Sequence, residues 1–280
     1  MLTMLRDRLI VILILIPLGM AVLLAGGFWY AGCVALVLCL GAGEFSRLFS
    51  KPEMHIPAGI LAAGIAALIL MRWLYGFNHA GLLLTGIIFL CTIWFLIRFE
   101  WGKEKQAASA MAITLGGMLY LGWLSGYFIS LRELPCGLWW TLISLAAVGL
   151  TDSMAFLVGK GWGKHPLTRR ISPNKTWEGY FGGLAGGALG GLLCGWLFNI
   201  TAGSASGIDP WRGLLMGFLI GLLSPVGDLA ISMMKREAAQ KDTGSFFPGH
   251  GGILDRIDSW LIMAVVGYYV ASRLIPIPPF

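Results

Sequence analysis

Apolar runs of about 20 residues recur along the chain, separated by short polar stretches marked by glycine, proline or charge. A helix of that length crosses a hydrocarbon core ~30 Å thick. The pattern predicts nine spans, at 9–25, 27–43, 57–74, 80–97, 108–130, 137–158, 179–200, 212–234 and 256–275. The expected fold class is therefore all-α, a polytopic integral membrane protein. The first span has a basic lead, Arg6 and Arg8, as a signal peptide would. No small-x-small cleavage site precedes a soluble domain, and further spans follow at once, so an uncleaved first helix is expected.

Composition agrees. The chain is 57% hydrophobic and 12% charged, against about 25% charged in a soluble domain. Mean hydropathy is +0.79. Nine spans put the termini on opposite sides. With the N-terminus inside, every lysine and arginine falls at the inner face except Arg72, Arg132, Arg212 and Arg273. The positive-inside rule then predicts N-in, C-out. The net charge of +6 becomes a one-sided field that attracts lipid headgroups and nucleotide phosphates. No basic soluble module is present, so nucleic acid is not an expected partner.

Residues 1–130 read as scaffold and lipid-facing wall. Within them Glu44 and Arg47, one turn apart, are expected to form an interfacial pair. Residues 131–280 read as the catalytic region, with inner loops at 159–178 and 235–255. The five cysteines, 33, 39, 91, 136 and 194, form no CxxC or Cys/His cluster and read as apolar packing residues. In the seventh span, Gly179, Gly183, Gly187, Gly191 and Gly195 make a row at spacing four, and Gly182, Gly186 and Gly190 make a second beside it. Such rows let helix backbones approach closely. They fit packing inside one protomer or a homodimer contact, and both readings stay open.

The chemistry concentrates late in the chain. Asp152, Asp228, Asp255 and Asp258 lie in or at the inner ends of spans, where an unpaired carboxylate is costly. Pairing with a nearby base would explain any one of them; several together with hydroxyls point to a metal. Ser224, Asp228, Ser232 and Lys235 share one helical face. Pro225 on that helix predicts a kink and a freed carbonyl. Asp255, Asp258 and Ser259 share a face at the start of the last span. Two such faces would suit Mg²⁺, which binds carboxylates and substrate phosphates together. Ser172-Pro-Asn-Lys175-Thr176-Trp-Glu178-Gly179 reads as a turn and helix start that would bind an anion. Pro248-Gly-His250-Gly251-Gly252 reads as a loop that exposes its backbone to a phosphate. Walker A spacing is absent, which excludes a P-loop NTPase.

Ser232, Lys235-Arg236, Lys241-Asp242, Gly244, Pro248, His250-Gly251-Gly252, Asp255-Arg256 and Asp258 fill every fixed position of a long signature. By it the chain resembles the phosphatidate cytidylyltransferases (CDP-diacylglycerol synthases). Upstream, Asp152-Ser153, Gly159-Lys160, Gly163-Lys164, Ser172-Pro173, Lys175-Thr176 and Glu178-Gly179 resemble that family's second block. Met154 and Phe156 depart from it, where Gly and Tyr are expected. The resemblance is close over roughly 145–265; the N-terminal half matches only as a multi-span apolar region.

The resemblance implies that CTP and phosphatidic acid give CDP-diacylglycerol and pyrophosphate, in a bacterial-type inner membrane with the site on the cytoplasmic side. It implies Mg²⁺, at two divalent sites or at one beside a second cation. Asp228 and Asp255 are the expected metal ligands, with Asp258 as ligand or support. Lys175, Lys235, Arg236 and Lys241 would grip phosphates. Ser172, Ser232, His250, Gly251, Gly252 and Arg256 would contact phosphate or pyrophosphate. Asp152 would ligate metal or hold Lys175. Two other classes are weighed. An ion-coupled transporter would place its carboxylates near the midplane. Another CTP-dependent or lipid-phosphate enzyme, a phosphatase or CDP-alcohol phosphotransferase, would need motifs that are missing here.

Overall fold

The computed structural model describes residues 16–202, 207–244 and 251–274. The described residues are helical; isolated bridges join Lys51 to Met54 and Pro166 to Thr176. The helices are α1 (Ile16–Ala25), α2 (Gly27–Phe49), α3 (Ala58–Tyr75), α4 (Ala80–Glu100), α5 (Ala107–Gly117), a π turn (Met118–Trp123), α6 (Leu124–Glu133), α7 (Gly137–Trp162), α8 (Trp177–Ala202), α9 (Pro210–Leu223), α10 (Pro225–Glu237) and α11 (Leu254–Leu274).

Among the described residues seven stretches are long and apolar enough to cross a membrane: α2, α3, α4, the continuous run Ala107–Glu133, α7, α8 as far as Thr201, and the run Pro210–Glu237. The expected first span lies partly outside the described residues. The expected ninth is a helix, α11, but Asp255, Arg256, Asp258 and Arg273 dilute its apolar character and it is not among the seven. The expected eighth span is interrupted at Ser224, between α9 and α10. Pro225 has no N–H to continue the ladder, so the helix restarts there.

The chain forms two compact units, Met1–Ile129 with Glu237–Arg256, and Ser130–Arg236 with Ile257–Phe280. In the first unit, α2, α3, α5 and the π turn share a core. Gly64, Gly117 and Gly122 let Met118, Phe45 and Leu68 lie against bare backbone. Under them, Met54, Ile56, Cys91, Phe95, Ala107 and Ala110 pack as a second apolar cluster. The 50–56 turn is pinned by Ser46 Oγ donating to the Ile56 carbonyl at 2.6 Å and by His55 N–H donating to Glu104 Oε1 at 3.0 Å. Arg72 is buried with its guanidinium 3.6 Å from the Phe77 ring centroid and 4.6 Å from that of Trp123, which spreads its charge over aromatic faces.

In the second unit α8 lies between α7 and α9. Its glycines explain why. A Cβ on Gly195 would fall 2.6 Å from the Asp209 carbonyl oxygen and 3.1 Å from Gly213 Cα. Cβ atoms on Gly191 and Gly217 would strike the backbones of Gly213 and Gly187. Gly179 and Gly183 meet the carbonyls of Ala155 and Thr151 instead. The second row, Gly182, Gly186 and Gly190, receives Val158, Met154 and Leu150 of α7. Both rows are thus spent on packing inside this unit, which decides between the two readings of the rows. Met154, one of the departures from the family pattern, fills the groove over Gly186. Phe156, the other, points outward and is 65% exposed.

Candidate functional site

In the second unit, α7 ends at Trp162, with Gly163 as its C-cap, and the chain doubles back as a tight hairpin. Leu167 N–H donates to the Lys175 carbonyl at 2.7 Å, and Trp177 N–H to the His165 carbonyl at 2.9 Å. Thr168 Oγ1 accepts the Ser172 N–H at 3.1 Å. At the hairpin's end Thr176 Oγ1 accepts the Gly179 N–H at 3.1 Å, which caps α8. Glu178 turns back and accepts the Lys164 and His165 N–H groups at 3.2 Å each, while its other oxygen meets His165 Nδ1 at 2.5 Å. The expected anion-binding helix start is thus partly engaged by its own chain: Thr176 and Glu178 are occupied, and Lys175 projects from it.

Lys175 Nζ pairs with Asp228 Oδ2. Asp228 stands in the first turn of α10, and its Oδ1 accepts the Ser232 hydroxyl at 3.2 Å. The i, i+4 spacing noted in the sequence makes that bond. Arg236, two turns on from Asp228, donates from Nε to the Ile171 carbonyl at 3.1 Å. Helix α10 therefore holds both ends of the segment 171–175. Gly227, beside Asp228, lies directly on the Asp258 carbonyl, so α10 and α11 touch backbone to backbone. Asp258 Oδ1 accepts its neighbour's N–H, Ser259, at 2.7 Å. Asp152, on α7, interacts electrostatically with Asp228 and Lys175, and Asp258 with Asp228, Asp152 and Lys175. The sequence left Asp152 as a metal ligand or a lysine partner; in the structure Lys175 pairs with Asp228, and Asp152 stays within its field.

Lys235 lies on α10 in the second unit, and the remaining expected residues that the structure describes lie in the first unit. Lys241 and Asp242 are exposed. Asp255 Oδ2 accepts the N–H groups of Thr243 at 2.9 Å and Gly252 at 3.1 Å. Its expected partner as a metal ligand, Asp228, is engaged with Lys175 and Ser232 in the second unit. Gly251 has φ 81°, a conformation that favours glycine. Gly252 is buried, and its N–H is taken by Asp255 rather than left to a ligand. Arg256 is exposed. His250, with Pro248 and Gly249, lies outside the described residues.

The sequence pattern pointed Glu44 to another partner and did not single out Thr243. Glu44 is 1% exposed, and its oxygens accept from Ile253, Leu254 and Thr243, each at 3.0 Å. The expected Glu44–Arg47 pair is not formed among the described residues. The pairing was reasonable at one-turn spacing, but the true partners are about 200 residues away in sequence, where no local pattern points. The one available hint was a carboxylate set in the small-residue run Gly41-Ala-Gly43.

Does this donor set fit a cation? Asp152, Asp228 and Asp258 bring three carboxylates into mutual electrostatic range, with Lys175 paired to Asp228. The carboxylate donors are all oxygen, and the Ser232 hydroxyl is bonded to Asp228. That is the chemistry a hard divalent ion takes. As placed, among the described residues, no three carboxylate, histidine or cysteine side chains already converge tightly enough to coordinate one ion. By charge and donor type these residues suit a hard divalent ion such as Mg²⁺.

Known proteins resemble this chain along most of its length. A phosphatidate cytidylyltransferase of Synechocystis is 32% identical, over 97% of this chain and 98% of its own. One of Mycobacterium leprae is 32% identical over 88% of this chain and 82% of its own. The chloroplastic phosphatidate cytidylyltransferase 4 of Arabidopsis thaliana is 34% identical over 90% and 69%. The cytidylyltransferase family pattern matches residues 6–274, which takes in the hairpin, α10 and α11 alike. The chain belongs to the cytidylyltransferase family.

Proposed function

We propose that the protein is a phosphatidate cytidylyltransferase, which moves CMP from CTP to phosphatidic acid and releases pyrophosphate. The observation that carries this is the carboxylate group Asp152, Asp228 and Asp258 with Lys175 held among them, in a chain related along its length to enzymes of that name.

The reaction joins two anions. A phosphatidate oxygen attacks the α-phosphorus of CTP, the bond from that phosphorus to the bridging oxygen breaks, and pyrophosphate leaves with the electron pair. The lipid phosphate is already a nucleophile near neutral pH, so no strong base is needed. What the protein must do is neutralise and orient. Asp228 and Asp258 would hold Mg²⁺, with Asp152 beside them and Asp255 as a further candidate; a second cation is a further part of the proposal. When bound, the metal offsets phosphate charge and withdraws electron density from phosphorus.

Lys175 is the residue best placed to contact phosphate in the second unit. Its present partner is a carboxylate, and a phosphate oxygen offers the same charge-assisted bond. Lys235 and Arg236 follow on α10. Ser232 orients Asp228 through its hydroxyl. Ser172, Lys241, His250, Gly251, Gly252 and Arg256 keep the phosphate-contacting roles implied by the family signature, with Gly252 acting through its place in the chain turn.

The proposed topology counts α1 and α11 as spans beside the seven, which makes nine, N-in and C-out. The skew of lysine and arginine supports it. The loops 159–178 and 235–255 then meet cytoplasmic CTP, in an inner membrane of bacterial type. The test is direct. Purified protein with CTP, phosphatidic acid and Mg²⁺ is expected to yield CDP-diacylglycerol and pyrophosphate in equal amounts. Pyrophosphate release without the lipid product, or no dependence on phosphatidate, overturns the reading.

A further inference from the structure

Glu44 sits on α2, in the half of the chain that reads as scaffold. It is 1% exposed, and its hydrogen bonds come from two backbone N–H groups and a hydroxyl. Its Oε1 accepts the Ile253 N–H, and its Oε2 accepts the Leu254 N–H and faces the Thr243 hydroxyl, all at 3.0 Å. Leu254 opens α11, and a helix start carries N–H groups with no partner inside the helix and a partial positive charge. The residue before it, Ile253, has no side-chain acceptor to offer. A carboxylate from 209 residues upstream supplies it instead.

Thr243 is the second half of the device. Its Oγ1 lies 3.0 Å from Glu44 Oε2 and 3.0 Å from Asp255 Oδ2, with a single hydroxyl proton between them. Asp255 also takes the N–H groups of Thr243 and Gly252. Thr243 and Gly252 are therefore tied to each other through Asp255, and Thr243, Ile253 and Leu254 to α2 through Glu44. Two glycines answer to this arrangement. A Cβ on Gly244 or on Gly252 would fall 2.8 Å from Glu44 Cδ. Their spacing makes room for a carboxylate.

We propose that Glu44 is a positioning residue for catalysis: it fixes the chain at Thr243 and at Ile253–Leu254, next to the signature residues Lys241, Gly251, Gly252 and Asp255. The proposal rests on the cytidylyltransferase reading, in which those signature residues meet phosphate or metal. Glu44 touches no substrate; it acts through Thr243 and the start of α11. The bonds to Ile253 and Leu254 are buried N–H donors to a charged acceptor, and their loss is expressed at the loop base.

The test uses full-length protein in detergent, with Glu44→Gln, Thr243→Ser and Thr243→Val. Amide exchange over 243–255 is read without substrate, and kcat and KM for CTP are read with it. Glu44→Gln keeps the shape, removes the charge and turns an amide group toward a backbone N–H. It is expected to speed exchange over 243–255 and to raise KM for CTP by about tenfold, with α7–α9 exchange and the thermal midpoint unchanged. Thr243→Val should follow it, and Thr243→Ser, which keeps the hydroxyl, should match the wild type. If Glu44→Gln does not accumulate, the Val and Ser pair carries the same comparison. Lost stability throughout, or a lower kcat at unchanged KM in both Gln and Val variants, would make the role structural and overturn the proposal. Unchanged KM and unchanged exchange overturn it too. A wild type that makes no CDP-diacylglycerol sinks the cytidylyltransferase reading and this role with it; wild-type turnover with indifferent variants sinks this role alone.

Discussion

Lys175 and Asp228 form an ion pair that joins the hairpin before α8 to the first turn of α10, across 53 residues of sequence. Neither partner is deeply buried; their side chains are 27% and 32% exposed. An ion pair so placed adds little to stability. Its use lies in placement. On the proposed function, the pair would keep Lys175 beside the carboxylates until a phosphate competes for it.

Replacing Lys175 by Met tests that use. The apolar stem stays and one positive charge goes. Loss of a charge-assisted contact to a partly desolvated phosphate should cost roughly 1.5–3 kcal/mol, on the order of 10- to 150-fold in kcat/KM. The thermal midpoint in detergent should stay where it is. A stable variant with full activity would show that Lys175 only balances Asp228.

Asp228→Asn and Asp258→Asn each remove one charge from the proposed cation-holding set. Turnover should fall by on the order of 100-fold or more, while protein yield and membrane insertion hold. Chelation of the wild type should stop product formation, and added Mg²⁺ should restore it. Near-normal rates for both Asn variants at low Mg²⁺ would remove these residues from the metal assignment.

The packing of α8 gives a prediction about stability alone. Gly191→Ala puts a methyl into the Gly213 backbone, which no rotamer change can relieve. Overpacking of this kind costs about 1–3 kcal/mol, read as a lower thermal midpoint. Gly149→Ala, also within a span, meets nothing within 4 Å and should be neutral or slightly stabilising. Equal behaviour of the two would deny the close α8–α9 approach.

Topology can be read by labelling. In a background lacking the five native cysteines, single cysteines at Asn174 and Lys241 should resist an impermeant thiol reagent in intact cells and react after permeabilisation. Labelling from outside would invert the orientation and separate these loops from cellular CTP.

What the amino-acid order determined alone was the local and the periodic. Runs of apolar residues produced helices where they were expected, because a segment in lipid must satisfy its own backbone hydrogen bonds. Pro225 ended one helix and began another for want of an N–H. The spacing of Asp228 and Ser232 put them in contact on one face. The motif Ser232 to Asp258 disclosed the family, because so many fixed positions are not met by chance.

Tertiary structure decided what spacing cannot encode. Glu44 has Arg47 one turn away, yet it bonds to Thr243, Ile253 and Leu254, since buried N–H groups at a helix start demand an acceptor and none is local. Asp255 and Asp258 share a helix face, but Asp255 is drawn to the loop base while Asp258 interacts with Asp228. The glycine rows of α8 could be read as a face for another copy until α7 and α9 were seen to fill them. In each case the sequence supplies a group that must be satisfied, and the fold chooses the partner, because that choice depends on which distant backbone comes within about 3 Å.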